Sequence, residues 1–313
     1  MSFLDGDHSQ NFKISIFGAS GIGKFHARIF DSLNLNVCSI LSSSKKTGKA
    51  TSKYLNDSFG IKTKYYDNID QLINESKPDA VSICTPNAFH YEQILKLLDN
   101  NIAIFCEKPF FWNESDSYKT VLQKIQIISD YPNRALLVNN SSDQYIRAVK
   151  TELPLSENIY AFSFEFITNG NKQFLDIAVD LIPHGLAMLT ELKGYHEVSS
   201  FKHNFRKDNY QCSFLYDGCE VNFTFQQGEH LKKKFEFVVN NDKYVRTQKR
   251  GLNNYLVMLK CINQKKSIKI DDPFEVYALR FIDLYLNKSI DSEEDFKKSS
   301  HNLTLMSKML LSN

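Results

Sequence analysis

The run Phe12-Lys13-Ile14-Ser15-Ile16-Phe17 passes without a break into Gly18-Ala19-Ser20-Gly21-Ile22-Gly23-Lys24-Phe25-His26. A strand pattern ends in a glycine-rich turn, and a helical pattern begins at once. No other segment restricts the fold as much. A backbone that must run close to a pyrophosphate needs glycine, because a Cβ would collide with the ligand. The helix behind such a turn offers unpaired N–H groups and the positive end of its dipole. The usual spacing is G-x-G-x-x-G. Here Gly18 and Gly23 hold the outer positions, Ser20 replaces the middle glycine, and Gly21 and Ile22 complete the turn. The segment predicts a dinucleotide-binding strand-turn-helix unit, with Gly18, Ser20, Gly21, Ile22 and Gly23 against the phosphates.

The pattern beyond the turn fits a doubly wound parallel sheet. Short apolar runs at Phe12–Phe17, Asn36–Leu41, Lys64–Tyr66, Ala80–Cys84, Ile102–Phe105 and Ala135–Val138 alternate with helical patterns. The helices are expected near Gly23–Leu33, Lys46–Phe59, Ile69–Glu75, Phe89–Asp99 and Glu114–Ile128. Ligands in such sheets lie beyond the C-terminal strand ends. After residue 138 the pattern changes to α+β. Helices are expected near Asp143–Glu152, Asp180–Leu192, Leu252–Cys261, Pro273–Leu286 and Asp295–Leu311. Between them, strands are expected at Ile159–Thr168, Glu197–Phe205, Tyr210–Tyr216, Glu220–Gln226, Lys234–Val239 and Lys243–Thr247, with a hairpin at Asp217-Gly218. The expected domains are therefore 1–138 and 139–313. The second should hold an open, mostly antiparallel sheet with helices on one face. Its aromatic side chains make the other face a candidate oligomer interface.

Bulk properties exclude several classes. A net charge of +2 and no arginine-rich stripe argue against a nucleic-acid partner. Six cysteines without a C-x-x-C pair suggest free thiols in a reducing compartment. Met1 to Gln10 is polar, so no signal peptide is expected. No apolar run approaches the ~20 residues of a membrane span, so the expected location is cytoplasmic, away from membranes.

Four further motifs stand out, three of them at strand ends. The second strand is followed by Ser42-Ser43-Ser44-Lys45-Lys46. A site for NAD(H) would normally carry an acid there to hold the ribose hydroxyls. Hydroxyls and lysines instead suit a 2′-phosphate, so Ser42, Ser43, Ser44 and Lys45 point to NADP(H) in preference to NAD(H). Thr85-Pro86-Asn87 follows the fourth strand and would face the cofactor, with His90 in the next helix as either a structural or a cofactor residue. Glu107-Lys108-Pro109 follows the fifth strand, where a lysine can point into the cleft. Asp180-Leu181-Ile182-Pro183-His184 opens a helix in the second half. With Asp180 as N-cap, Asp180 and His184 would lie a turn apart, and the carboxylate could orient the histidine.

Taken in this order, the glycine turn, Thr85-Pro86-Asn87 with His90, Glu107-Lys108-Pro109, and the D-x-x-x-H of Asp180 and His184 resemble the glucose-fructose oxidoreductase / inositol dehydrogenase / MocA family. The resemblance covers nearly the whole chain. It implies a Rossmann domain followed by an α+β domain whose open sheet forms a homodimer or homotetramer. It also implies NAD(P)-dependent oxidation or reduction at a carbinol or ketone carbon of a polyol, sugar, cyclitol or nucleotide-sugar. His184 would then be the base, Lys108 would hydrogen-bond the reacting oxygen, and Asp180 would bind a neighbouring hydroxyl or orient the base. No metal is implied. The chain departs from the family at Ser20 and in Val138-Asn139-Asn140-Ser141-Ser142-Asp143, where many members carry arginines. Two alternatives are a non-catalytic cofactor-binding regulator and a reductase of a non-sugar substrate.

Overall fold

The computed structural model describes residues 12–132, 134–153, 155–251, 254–287 and 292–311, without the side chains of 250, 286 and 287. The Met1 to Gln10 segment lies outside the described residues. The chain divides into two compact units.

The first unit is built on β1 (Lys13–Phe17), β2 (Asn36–Leu41), β3 (Lys64–Tyr66), β4 (Ala80–Ile83), β5 (Ala103–Cys106) and β6 (Leu136–Val138). They form one six-stranded sheet in the order β3-β2-β1-β4-β5-β6, and every pairing in it is parallel. Strands covered on both faces must be apolar throughout. Accordingly, every residue of β4 and β5 is buried. The alternating helices are α1 (Gly23–Ser32), α2 (Lys45–Phe59), α3 (Ile69–Ser76), α4 (His90–Asp99) and α5 (Tyr118–Ser129). Helix α5 begins four residues later than the expected Glu114, because Ser117 caps it by accepting the Thr120 N–H at 3.1 Å. The unit also takes in residues 277–296. There Phe281 packs on Phe30 and Phe105, with ring centroids 6.3 and 5.5 Å away. Tyr285 meets Phe12 edge-on at 4.5 Å.

The second unit holds α6 (Asp143–Glu152), β7 (Ala161–Thr168), α7 (Leu175–Lys193), β8 (Val198–Arg206), β9 (Asn209–Tyr216), β10 (Cys219–Gln227), β11 (Lys234–Val239), β12 (Asp242–Arg250), β13 (Tyr255–Cys261) and β14 (Lys266–Ile270). The chain ends with α8 (Pro273–Asn287) and α9 (Ser292–Leu311). The eight strands form an open sheet, β14-β13-β12-β11-β7-β10-β9-β8. Its one parallel pair is β7 with β10; the other neighbours are antiparallel. Asp217 and Gly218, both at positive φ (48° and 72°), make the expected β9–β10 hairpin.

Three expectations need correction. The segment expected as helix Leu252–Cys261 is strand β13, with Val257, Leu259 and Cys261 buried in alternation; Leu252 lies outside the described residues. The short β14 was not foreseen. The aromatic side chains do not form a bare outer face. Phe162, Phe164, Phe223 and Phe225 are buried on the inner face, which packs against α7, while Asn222 on the outer side is exposed and Ser163, Glu165, Thr224 and Glu236 are half-buried.

The packing of α7 on the sheet is close. A Cβ on Gly185 would lie 2.6 Å from the buried Phe223 ring. Gly185→Ala is expected to destabilise the protein by about 1–3 kcal/mol, the range for overpacking. A denaturation midpoint equal to that of the wild type would refute this.

Candidate functional site

The glycine turn emerges from β1 with Gly18 at φ +82° and its N–H on the Leu41 carbonyl at 3.0 Å. A Cβ on Gly18 would lie 2.6 Å from the Cys84 carbonyl oxygen, and one on Gly23 would lie 2.7 Å from the Gly18 oxygen. These two glycines let the start of α1 and the end of β4 close on the turn. Gly21 is different, since a Cβ there would meet nothing within 4 Å. The backbone at this point is open to a ligand.

A cavity of about 700 Å³ lies beside the turn, beyond the C-terminal ends of β1, β2 and β4. It is large enough for a cofactor. Of the expected cofactor residues, Gly18, Ser20, Ser42, Ser43, Thr85 and Pro86 line it. The others do not: Gly21, Ile22, Gly23, Ser44, Lys45, Asn87, His90, Glu107 and Lys108 are absent from its wall. Ser44 instead caps α2, accepting the Thr47 N–H at 3.2 Å. Ser42 Oγ is buried and has no hydrogen-bond partner among the described residues. A buried hydroxyl without a partner beside an open glycine turn fits a polar ligand. The wall also includes Asp67, Asp70, Gln93 and Lys96, which sequence reading missed. Asp67 directly follows β3, so the strand-end rule could have found it. Lys96 pairs with Asp70 at 2.5 Å.

Glu107, at the end of β5, sits in a buried polar chain. Its Oε1 accepts from His26 Nε2 at 2.9 Å and from Asn139 Nδ2 at 2.6 Å. His26 Nδ1 lies 2.7 Å from Ser82 Oγ. Burial would raise the Glu107 carboxyl. The hydrogen bond and charge of His26, the Lys108 ammonium and the Asn139 amide outweigh it and bring the pKa down to about 2. Lys108 follows this carboxylate in the chain and is joined to Pro109 by a cis peptide bond.

His90 is buried between backbone carbonyls. Its Nε2 lies 2.8 Å from the Thr85 oxygen, and its Nδ1 lies 3.1 and 3.2 Å from those of Pro109 and Phe110. Burial pushes the ring below the ordinary histidine pKa, against the carbonyls that favour its charged form. It fastens the loop after β4 to the loop after β5.

Asp180 and His184 lie in the second unit. Helix α7 begins at Leu175, so Asp180 is no N-cap, and Pro183 falls inside the helix. Asp180 and His184 are i and i+4 on one face, and both are half-buried. Each is held by a side chain from outside the helix. Gln227 Nε2 donates to Asp180 Oδ2 at 2.7 Å. Ser142 Oγ lies 2.7 Å from His184 Nδ1, and Phe166 packs edge-on against the imidazole at 5.3 Å. The polar segment after β6 is largely engaged within its own unit. Asn140 donates to Ser299 Oγ at 2.9 Å. Asp143, fully buried, pairs with Lys298, which also bonds Glu191 at 2.9 Å.

Residues 12–127 match the model of the GFO_IDH_MocA family, described as an oxidoreductase family with an NAD-binding Rossmann fold. A D-glucoside 3-dehydrogenase of Escherichia coli K12 is 33% identical over 104 residues, covering 32% of this chain. The match spans only 28% of that relative's length. Among solved structures, the chain resembles myo-inositol 2-dehydrogenase from Lactobacillus plantarum. The TM-score is 0.68 at 14% identity, over 96% of this chain and 98% of that one. It also resembles UDP-N-acetylglucosamine 3-dehydrogenase from Acidithiobacillus ferrooxidans. There the TM-score is 0.66 at 15% identity, with the same coverage of 96% and 98%. At these identities the likeness shows the fold.

Proposed function

We propose that the chain is an NAD(P)-dependent dehydrogenase or reductase, a reading supported by the match of residues 12–127 to an oxidoreductase family model with an NAD-binding Rossmann fold. Its substrate would be a carbinol or ketone carbon of a sugar, cyclitol or nucleotide-sugar. The observation that carries the reading is the pair Asp180 and His184 on one face of α7, each anchored by a side chain from another element. A bound dinucleotide supplies the hydride acceptor in oxidation and the donor in reduction. With its ring held by Ser142, His184 takes the hydroxyl proton as the carbinol becomes a ketone, and returns it in reduction. Lys108 hydrogen-bonds the reacting oxygen as negative charge builds on it. Asp180 accepts from a neighbouring hydroxyl of the polyol. The names of the relatives support the substrate class. The test is incubation of the protein with NADP+ or NAD+ and a panel of myo-inositol, D-glucosides and UDP-N-acetylglucosamine. Reduced nicotinamide should form with at least one of them. Formation with none would favour a non-catalytic cofactor-binding regulator.

Within this reading the cofactor is NADP(H). Support comes from the Ser42 and Ser43 hydroxyls on the cavity wall and the unpartnered Ser42 Oγ. One charge-assisted hydrogen bond to a 2′-phosphate is worth about 1.5 kcal/mol or more. The ratio kcat/KM should therefore favour NADPH over NADH by about tenfold or more. An equal or higher value with NADH would overturn the preference and leave the reaction standing. The same reading places the protein in the cytoplasm. It also pairs copies as a homodimer or homotetramer through the outer face of the eight-stranded sheet, whose mixed polar surface suits a non-obligate interface.

A further inference from the structure

Gln227 ends β10 and is only 3% exposed. Its amide is used at both ends. Oε1 accepts the Lys172 N–H at 3.1 Å, and Nε2 donates to Asp180 Oδ2 at 2.7 Å. The two contacts fix each other. An oxygen must face the backbone N–H, so the NH₂ must face the carboxylate, and the amide has one orientation. The turn before α7 is shaped around this group, because a Cβ on Gly170 would lie 2.0 Å from Gln227 Oε1. Gly170 also donates its N–H to Thr168 Oγ1 at 3.2 Å, which closes the turn from the β7 side. A buried amide thus joins three things: the end of a central strand, the 170–172 turn and a carboxylate on α7.

We propose that Gln227 is a positioning residue for Asp180, donating to the carboxylate in its charged form and restricting its rotamer while locking the 170–172 turn to it. This rests on the reading in which Asp180 contacts substrate. It goes beyond that reading by naming what sets the charge and aim of Asp180, and by coupling both to the turn. The physical basis is direct. A hydrogen bond to the charged form of a carboxyl lowers its pKa. A side chain with one allowed orientation also restricts the rotamers of the aspartate it holds.

The test needs no substrate. Protein labelled with ¹³C at aspartate carboxyls is titrated by NMR, with the Asp180 signal assigned from Asp180→Asn, and hydrogen exchange of the Lys172 amide is followed in parallel. In Gln227→Leu the Asp180 midpoint should rise by about one unit, a typical size for a specific local interaction. The Lys172 amide should lose protection at least tenfold. In Gln227→Glu two carboxyls share the site. One proton should then be held to higher pH, giving a two-step titration that belongs to the pair. The second variant keeps the volume of the side chain and decides the matter if the first fails to fold. An Asp180 titration in Gln227→Glu that superimposes on the wild type's would overturn the proposal, as would an unchanged midpoint and unchanged Lys172 protection in a folded Gln227→Leu. The two readings can fail separately. If the coupling appears and Asp180→Asn still turns over its polyol at the wild-type rate, Gln227 keeps its hold on Asp180 and the substrate role assigned to Asp180 falls.

Discussion

Replacing His184 by alanine is expected to slow single-turnover hydride transfer by about 10²–10⁴-fold, the usual contribution of a positioned general base. Lys108→Ala is expected to cost about 10²–10³-fold, as for loss of one donor to a developing oxyanion. The comparison uses rapid mixing with whichever polyol the substrate panel identifies and with saturating cofactor, so that product release does not mask the chemical step. The pH dependence separates the two roles. Oxidation needs a neutral imidazole, so the wild-type rate should climb with rising pH along a limb supplied by His184. This limb should vanish in His184→Ala and persist in Lys108→Ala. Unchanged rates in both variants would end the assignment. Ser142→Ala serves as an internal comparison, because His184 Nδ1 then loses the hydroxyl at 2.7 Å while the ring remains. Its effect should be smaller than that of removing the imidazole.

The second large effect concerns stability and pH. Glu107 is held at about 2 against an ordinary carboxyl value of 4.5. A depressed carboxyl stabilises the fold above its unfolded pKa, and that stability is lost as pH falls toward the folded value. The window therefore runs from 4.5 down to about 2, and the amount at stake is about 3 kcal/mol. Denaturant unfolding at stepped pH should show this slope in the wild type and a flatter profile in Glu107→Gln. Identical profiles in the two proteins would sink the account. At neutral pH, His26→Ala should be worse than Glu107→Gln. It leaves the buried carboxylate without the 2.9 Å donor, and breaking a buried pair on one side costs about 3–5 kcal/mol.

The parts of this molecule that could be read from sequence are those where one periodicity serves one purpose. Strands β4 and β5 are buried throughout because both faces are covered, and β2 and β3 fall within the bounds expected for them. Strand β13 escaped because Leu256, 55% exposed, and the half-buried Met258 lie on its outer face. They fill in the alternation that Val257, Leu259 and Cys261 would otherwise display, and an unbroken apolar run reads equally as helix. Strand β14 shows alternation only at Ile268 and Ile270, among lysines. The start of α7 was misplaced because Asp180 looks like a cap. In the fold its carboxylate is turned to Gln227, a residue 47 positions away. The same limit applied to the candidate site. Glycines and strand-end residues such as Asp67 announce themselves locally, whereas Gln227, Ser142 and the His26–Glu107 link depend on the tertiary course of the chain.

Residues 277–296 have a consequence for how this protein is made. A ribosome releases β1 to β6 early, yet the rings of Phe281 and Tyr285 that cover Phe30, Phe105 and Phe12 emerge only after all the strands of the second sheet have been synthesised. Until then Phe12, Phe30 and Phe105 lack these two rings as neighbours. Completion of the first unit thus waits on residues that follow the whole second sheet in the chain.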